Sequence, residues 1–299
     1  MKIKKFFLPI ITVLMAVSFS CQKEKDSNYT IYYPDSEALY FIPVNKKIEG
    51  LSNKDEAKAA EKILEELKKA PKPDLRSCVP QDVTFSDIIY NSEKKDFSLK
   101  FSSTNPLNET EEQLMLGCIT NTLSEIKNTE FINIQTTNKT QMDYSEPIST
   151  ESYKNSFLDV EKETDEHLSS ESVYWFSKDK KYLVPVQVPI PKKDIKSLLE
   201  KLKKGPEQRN IDYFSNSIPE GFDIIIKLSS DRNIDIEIKQ PASTDKSTYD
   251  LVEKAVLLTI YDLKVFDTVK VINSDSEKIV DFTKTNPKEN LNLIESNLN

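Results

Sequence analysis

The residue types that most often perform chemistry are scarce in this sequence. Its 299 residues include one His, three Cys and four Gly. One His and three Cys exclude a poly-His metal site, a zinc ribbon and a thiolate cluster. Four Gly leave no stretch typical of a phosphate-binding loop. We therefore expect the protein to use neither a metal nor a cofactor.

The one His is a poor candidate for catalysis. His167 lies in an acidic segment, between Glu166 and Leu168. A general base needs a fixed position relative to the proton that it removes, and a residue in a solvated linker does not have one. We therefore expect no Ser-His-Asp, Cys-His or His-based metal chemistry.

Carboxylates are numerous, and a glycosidase needs only two of them. Most acids in the predicted elements fall on solvated faces: Asp235 and Glu237, for example, alternate with Ile along a strand. The acids left over lie in predicted loops, such as Asp87 and Asp223, and nothing in the sequence marks them as special. We expect no catalytic residues, and a carboxylate-based cell-wall hydrolase is the third hypothesis for function.

Cys78 and Cys118 allow two interpretations. An exported protein can form a disulfide, and these two Cys fall within one predicted domain. Alternatively, Cys118 is a buried apolar residue on a helix, because the second copy of the repeat described below has Val256 within one residue of the equivalent position. We do not expect either Cys to act as a nucleophile, since no His partner is present.

Two adjacent aromatic pairs could form a binding platform for a sugar or a peptide. They are Tyr32 with Tyr33 and Tyr174 with Trp175. Strand geometry sends one residue of each pair inward and the other outward. We therefore expect half of these side chains to lie in the core, with the outward half available for a platform.

The N-terminus is typical of an export signal followed by a lipidation site. Three Lys in the first five residues precede an apolar run at 6–17. That run is too short to cross a hydrocarbon core of ~30 Å. Cys21 follows the small residue Ser20, as in a bacterial lipobox, although Ser18 stands where Leu is usual. An ordinary secretory signal is the alternative. We predict a signal peptide at 1–20 and lipidation of Cys21.

The net charge of the chain narrows the range of expected binding partners. The formal net charge is −8 and the isoelectric point is about 5.1. Binding to nucleic acid needs a basic surface, so we expect none. The same acidity excludes a basic patch that draws the body onto anionic lipid. We therefore expect a lipid-anchored protein at the extracytoplasmic face of the cell membrane, joined to its anchor by a short tether at 21–28.

The chain is an internal tandem duplication. Three sequence blocks recur in the same order about 140 residues apart, which chance does not explain. The matched blocks are 40–44 with 182–186, 63–71 with 198–206, and 78–80 with 217–219.

Hydrophobic periodicity predicts the same elements in both copies. The order is ββαββαβ, which favours an α+β fold with a mostly antiparallel sheet and two helices packed on one of its faces. We place the first domain at 29–136 and the second at 172–279. Between them we predict an acidic linker at 137–171, and after them a polar tail at 280–299.

The ordered motifs resemble those of tandem GerMN-domain lipoproteins, a family of sporulation and spore germination. The second copy matches best, through its segments 182–186, 198–206, 218–221 and 268–271. The first copy departs more, with Ala70 in place of Gly. The resemblance covers about 220 of the 299 residues, and it implies no catalytic residues.

This resemblance implies an extracytoplasmic, membrane-tethered scaffold, similar to the ring-building modules of sporulation and secretion complexes. We expect a non-enzymatic structural or interaction module that docks onto envelope proteins in sporulation or germination, without a small-molecule substrate. The alternative is an envelope lipoprotein that binds cell wall, either peptidoglycan or a peptide, in a cleft between its domains.

Overall fold

The computed structural model describes residues 27–48, 55–138, 140–153, 168–191, 194–207, 210–230, 232–273 and 276–289. In this part of the chain two domains follow each other. The elements of the first domain are β1 (Ser27–Pro34), β2 (Phe41–Ile48), α1 (Glu56–Glu66), β3 (Thr84–Asn91), β4 (Asp96–Ser102), α2 (Glu109–Ser124), β5 (Phe131–Thr136) and β6 (Ile148–Ser149).

The second domain repeats this order. Its elements are β7 (Leu168–Ser177), β8 (Leu183–Pro191), α3 (Ile195–Lys204), β9 (Phe214–Ser215), β10 (Asp223–Ser229), β11 (Asn233–Lys239), α4 (Lys246–Asp262), β12 (Thr268–Ile272) and β13 (Glu277–Asp281). The prediction of two similar α+β domains with the order ββαββαβ is confirmed. Each domain then adds a last strand, β6 or β13.

Each domain contains two sheets rather than the single sheet expected. The first two strands form an antiparallel hairpin, β1–β2 or β7–β8, and β9 extends the second hairpin. The other four strands form a sheet in the order β3-β4-β5-β6 or β10-β11-β12-β13. The middle pair of each four-stranded sheet is parallel, because a helix, α2 or α4, makes the crossover between its strands.

The four α-helices in the described part of the chain begin in the same way. The residue before each helix is Asp or Asn, and its side chain accepts a hydrogen bond from a backbone N–H in the first turn. These N-caps are Asp55, Asn108, Asp194 and Asp245. Such caps satisfy donors that would otherwise lack partners at a helix start.

The crossover helices are buried over most of their circumference. On α2 the side chains of Met115, Cys118 and Ile119 are fully buried, and so are those of Leu116 and Thr120. A helix that is buried on nearly every side belongs to the core. By contrast, α1 and α3 each bury one stripe only.

The predicted linker does not begin at residue 137. Residues 140–153 pack on the first domain, where Ile148 pairs with Ile132 across β5 and β6. The hydroxyl of Tyr144 donates to the buried carboxylate of Glu112, at 2.5 Å. This packing could not be predicted from composition, because residues 140–153 have only a few apolar side chains among many polar ones. The second domain begins earlier than predicted, with β7 at Leu168.

The predicted polar tail is structured at its start. Val280 is buried within β13, and the ring of Phe282 packs edge-on against Tyr261 at 5.2 Å. Lys288 is almost completely buried. The tail was predicted from its polar composition. Composition does not indicate that one of its lysines pairs with buried carboxylates.

The signal peptide, Cys21 and His167 lie outside the described residues. Among the residues that are described, no helix is both long and apolar enough to span a membrane. The predicted tether is shorter than expected at its far end, because β1 already begins at Ser27.

Gly117 allows the closest approach between α2 and the first hairpin. A Cβ atom at this position would overlap the ring of Phe41 on β2. Both residues are buried, and Phe41 is 2% exposed. The glycine is therefore required for packing, although in an exposed helix it would be a weak helix former.

We expect Gly117→Ala to destabilise the protein by about 1–3 kcal/mol, because the added methyl group overpacks the core. Urea unfolding followed by circular dichroism measures this loss. Adding Phe41→Leu should recover part of it, since the smaller side chain makes room. A Gly117→Ala variant as stable as the wild type, or more stable, would show that α2 or Phe41 shifts without loss of stability, and it would contradict the requirement for glycine.

Candidate functional site

The aromatic residues predicted as a platform do not form one. Tyr32, Tyr33, Tyr174 and Trp175 are all buried, with 4% exposure or less. The alternation expected for a strand is still present, since the Tyr33 hydroxyl donates to the Glu66 carbonyl of its own domain at 3.3 Å. The outward residues are buried because the crossover helix of the same domain, α2 or α4, covers that face of the hairpin.

The two domains repeat one hydrogen bond between hairpin and crossover helix. The backbone N–H of Tyr32 donates to the Thr122 hydroxyl at 3.0 Å. In the second domain the N–H of Tyr174 donates to the Thr259 hydroxyl at 3.2 Å. A buried backbone donor must be satisfied, and the duplicated threonine satisfies it in both copies.

The hydroxyls of the same two tyrosines each donate a hydrogen bond to an acid at the end of the crossover helix. The Tyr32 hydroxyl donates to Glu125 at 3.0 Å, and the Tyr174 hydroxyl donates to Asp262 at 2.7 Å. Burial raises the pKa of both tyrosines well above its usual value, and the neighbouring carboxylates raise it further. The tyrosines therefore remain neutral hydrogen-bond donors.

Lys288 joins the two tyrosine–acid pairs. Its Nζ lies 2.5 Å from Oε1 of Glu125 and 2.9 Å from Oδ1 of Asp262. It also lies 3.3 Å from the Tyr32 hydroxyl. Burial alone would lower the pKa of the Lys288 ammonium, but the two carboxylates raise it well above its usual value. Lys288 is therefore charged, and it links an acid of each domain.

Further contacts join the domains elsewhere. The Tyr182 hydroxyl donates to Asp74 at 3.0 Å, and Lys181 approaches the same carboxylate at 3.3 Å. The rings of Tyr40 and Phe214 pack with centroids 5.0 Å apart. Strands β2 and β8 also touch.

A cavity of about 520 Å³ opens beside Lys288. The first domain contributes Lys95 and Glu151 to its lining, and the second contributes Lys264. Some of its charges are paired, as Lys95 is with Glu130 at 2.6 Å. The cavity therefore presents a polar surface of mixed charge at the junction of the domains.

The acids singled out in the sequence are not brought together. Asp87 lies at an irregularity of β3 and has a positive φ of 52°. Asp223 begins β10, where Lys203 pairs with it at 2.6 Å and holds its pKa below the usual range. Asp235 and Glu237 point away from the core of β11, as predicted. In the described ranges no group of three or more His, Cys, Asp or Glu is placed to hold a metal ion.

Cys78 and Cys118 are both buried, and both are free thiols in this structure. They are neighbours, since a hydrogen bond with Cys78 contributes to the raised pKa of Cys118, after burial as the main cause. The Cys78 thiol also lies 3.9 Å from the Leu67 carbonyl. Their pairing in an oxidising compartment stays a prediction.

The sequence reasoning missed Lys288, Glu125 and Asp262. A partial signal existed, because Glu125 and Asp262 occupy equivalent places at the ends of α2 and α4. Lys288 lies outside both repeats, so no internal comparison could identify it.

Comparisons with known proteins agree with this architecture. Residues 30–141 match the family model Germane, described as sporulation and spore germination. The tandem GerMN domains of the sporulation protein GerM from Bacillus subtilis match with a TM-score of 0.60 at 15% identity, covering 86% of this chain and 97% of that chain. The first GerMN domain of that protein covers 37% of this chain and 86% of its own, with 19% identity and a TM-score of 0.30. No curated protein sequence matches this chain.

The family match covers the first domain, and the structural similarity extends the same fold across both. At 15% identity the structural similarity shows the fold alone. The first domain thus matches the Germane family model at residues 30–141, and the two domains together share the tandem GerMN fold.

Proposed function

We propose that this protein is a non-enzymatic lipoprotein that acts as a structural and interaction module in envelope complexes of sporulation or spore germination. The observation that carries the proposal is the tandem GerMN fold, which covers 86% of the chain. The Germane match of the first domain supports the sporulation context. Protein partners, rather than a substrate, then define the function.

The outer faces of the four-stranded sheets are the surfaces best suited to docking. On the first sheet Ile89 is 61% exposed and Phe131 is 40% exposed. On the second sheet Ile279 is 69% exposed. Each is paired across the sheet with an outward residue: Ser98, Asp96 and Lys270 respectively. Exposed apolar side chains in a polar surround are typical of interaction sites.

Charge gives the two faces different character. Around Ile279 the second face carries ion pairs, such as Lys270 with Glu277 at 2.8 Å and Lys227 with Glu237 at 2.6 Å. The outward residues around Ile89 are mostly uncharged, as Ser86 and Ser98 illustrate. The two faces therefore suit different partner surfaces, with the second making the more specific electrostatic contacts.

Ile89→Glu and Ile279→Glu should each reduce the amount of partner captured by cross-linking from sporulating cells. A tenfold loss corresponds to about 1.4 kcal/mol of binding free energy. Ile211→Glu is the matched control, because Ile211 is 44% exposed but lies outside the strands. Equal capture by all three variants, or normal spores from a deletion strain, would contradict the proposal.

The lipid anchor is proposed at Cys21. Five residues separate Cys21 from β1, and fully extended they reach roughly 18 Å. The first domain would then stay close to the membrane. A diacylated cysteine carries two chains, which hold a protein stably on a bilayer.

Cys21→Ser should move the protein from the membrane fraction to the soluble fraction, because no acyl chains would be attached. Immunoblots of fractionated cells measure the distribution. Gln22→Ala, next to the anchor, should remain in the membrane fraction. A Cys21→Ser protein that still sediments with membranes would show that the attachment has another origin.

Binding of cell wall is the second candidate function, and the mixed-charge cavity between the domains favours it. Its lysines and carboxylates could pair with the charged groups of a stem peptide. Trp175 plays no part in such binding, because it is buried.

Sedimentation with purified cell wall distinguishes the two functions. A scaffold should bind weakly, whereas a cleft that binds peptide should saturate. In that second case the double variant Lys95→Gln with Lys264→Gln should weaken binding about tenfold, by loss of ~1.4 kcal/mol. Clearing on a cell-wall zymogram would contradict both functions and indicate a hydrolase.

A further inference from the structure

We propose that residues 283–289, here named the C-terminal clasp, hold the two domains in one fixed orientation through Lys288. The clasp follows the last strand of the second domain and lies outside both copies of the repeat. Its lysine reaches an acid of the first domain. The rigidity of the two-domain unit therefore depends on a segment that the duplication did not supply.

The path of the clasp leads from the second domain to the first. Phe282, directly before it, packs against Tyr261 of α4. Asn286 then lines a recess together with Tyr29 and Lys127 of the first domain. Lys288 ends beside Tyr32 and Glu125. Within seven residues the chain thus passes from one domain onto the other.

The duplication creates the need for a cation at this position. It places a buried acid at the end of each crossover helix, and both acids reach the same point of the junction. The side chains of Glu125 and Asp262 are 15% and 5% exposed. Two such carboxylates repel each other where water is largely excluded. One ammonium between them converts the repulsion into an attraction that joins the domains.

Glu125 and Asp262 each also have a hydrogen-bond partner within their own domain. The Tyr32 hydroxyl donates to Glu125 and the Tyr174 hydroxyl donates to Asp262, so each acid keeps one hydrogen bond in the absence of the clasp. Lys288 and Asp262 belong to the same domain, whereas the pair of Lys288 with Glu125 crosses the junction. Loss of that pair leaves both domains folded, but it removes the ionic contact that fixes their orientation at the ends of the crossover helices.

The test measures the distance between the domains in residues 22–299, which contain every described element. Nitroxide labels at Gln135→Cys and Lys239→Cys, both on exposed strand positions, report on the first and second domain. The buried Cys78 and Cys118 stay unlabelled in the folded protein. Double electron–electron resonance should give one narrow distance distribution in the wild type.

Lys288→Met should widen that distribution about twofold or more, because the contacts that remain, around Tyr182 and Phe214, no longer act together with an ion pair at the ends of the crossover helices. Lys284→Met is the matched control: Lys284 is 81% exposed and pairs only with the nearby Asp281 in the described structure. It should keep the narrow distribution.

Glu125→Gln keeps the test valid if Lys288→Met fails to fold. This variant leaves Lys288 paired with Asp262, so no buried charge lacks a partner, but it removes the ion pair that crosses the junction. It should widen the distribution as well. A narrow, wild-type distribution in Glu125→Gln, or in a folded Lys288→Met, would overturn the proposal.

Discussion

One buried ammonium between two buried carboxylates links the two domains at the ends of their crossover helices. Lys288 lies within 2.9 Å of both Glu125 and Asp262. Removing one partner from a buried ion pair typically costs about 3–5 kcal/mol, because the other charge is left without compensation. The acids come from equivalent positions of a duplicated domain, and Lys288, which belongs to neither repeat, pairs with both.

Helices of the same domain bury both faces of each hairpin. One face packs against α1 or α3, as the contact of Tyr33 with α1 illustrates. The other face packs against the crossover helix, where the Thr122 and Thr259 hydroxyls accept hydrogen bonds from the backbone N–H groups of Tyr32 and Tyr174. Lys288 reaches the Tyr32 hydroxyl on this second face, and it thereby connects the two domains at the ends of their crossover helices.

Much of the architecture could be predicted because local periodicity and internal repetition agree. The order ββαββαβ was predicted for both copies, and its last strand is observed as β5 in the first domain and β12 in the second. The outward acids of β11 were also predicted correctly. The errors in the predicted linker and tail share one cause. Both segments were judged by their average composition, whereas specific contacts of a few side chains decide whether a segment packs. Residues 140–153 and 281–289 are polar on average, yet a few of their side chains find specific partners, such as Glu112 for Tyr144. The aromatic pairs failed for a related reason, since alternation predicts the face of a residue but not what covers that face.

The sequence by itself determined the duplication and the order of the elements, because both depend on residue types and their spacing. Only the tertiary structure decided which charges meet. Glu125 and Asp262 are 137 residues apart in the chain, and Lys288 belongs to neither repeat. Their association depends on how two folded domains dock, and no local pattern encodes that geometry. The contact between the domains is therefore a property of packing and electrostatics in three dimensions.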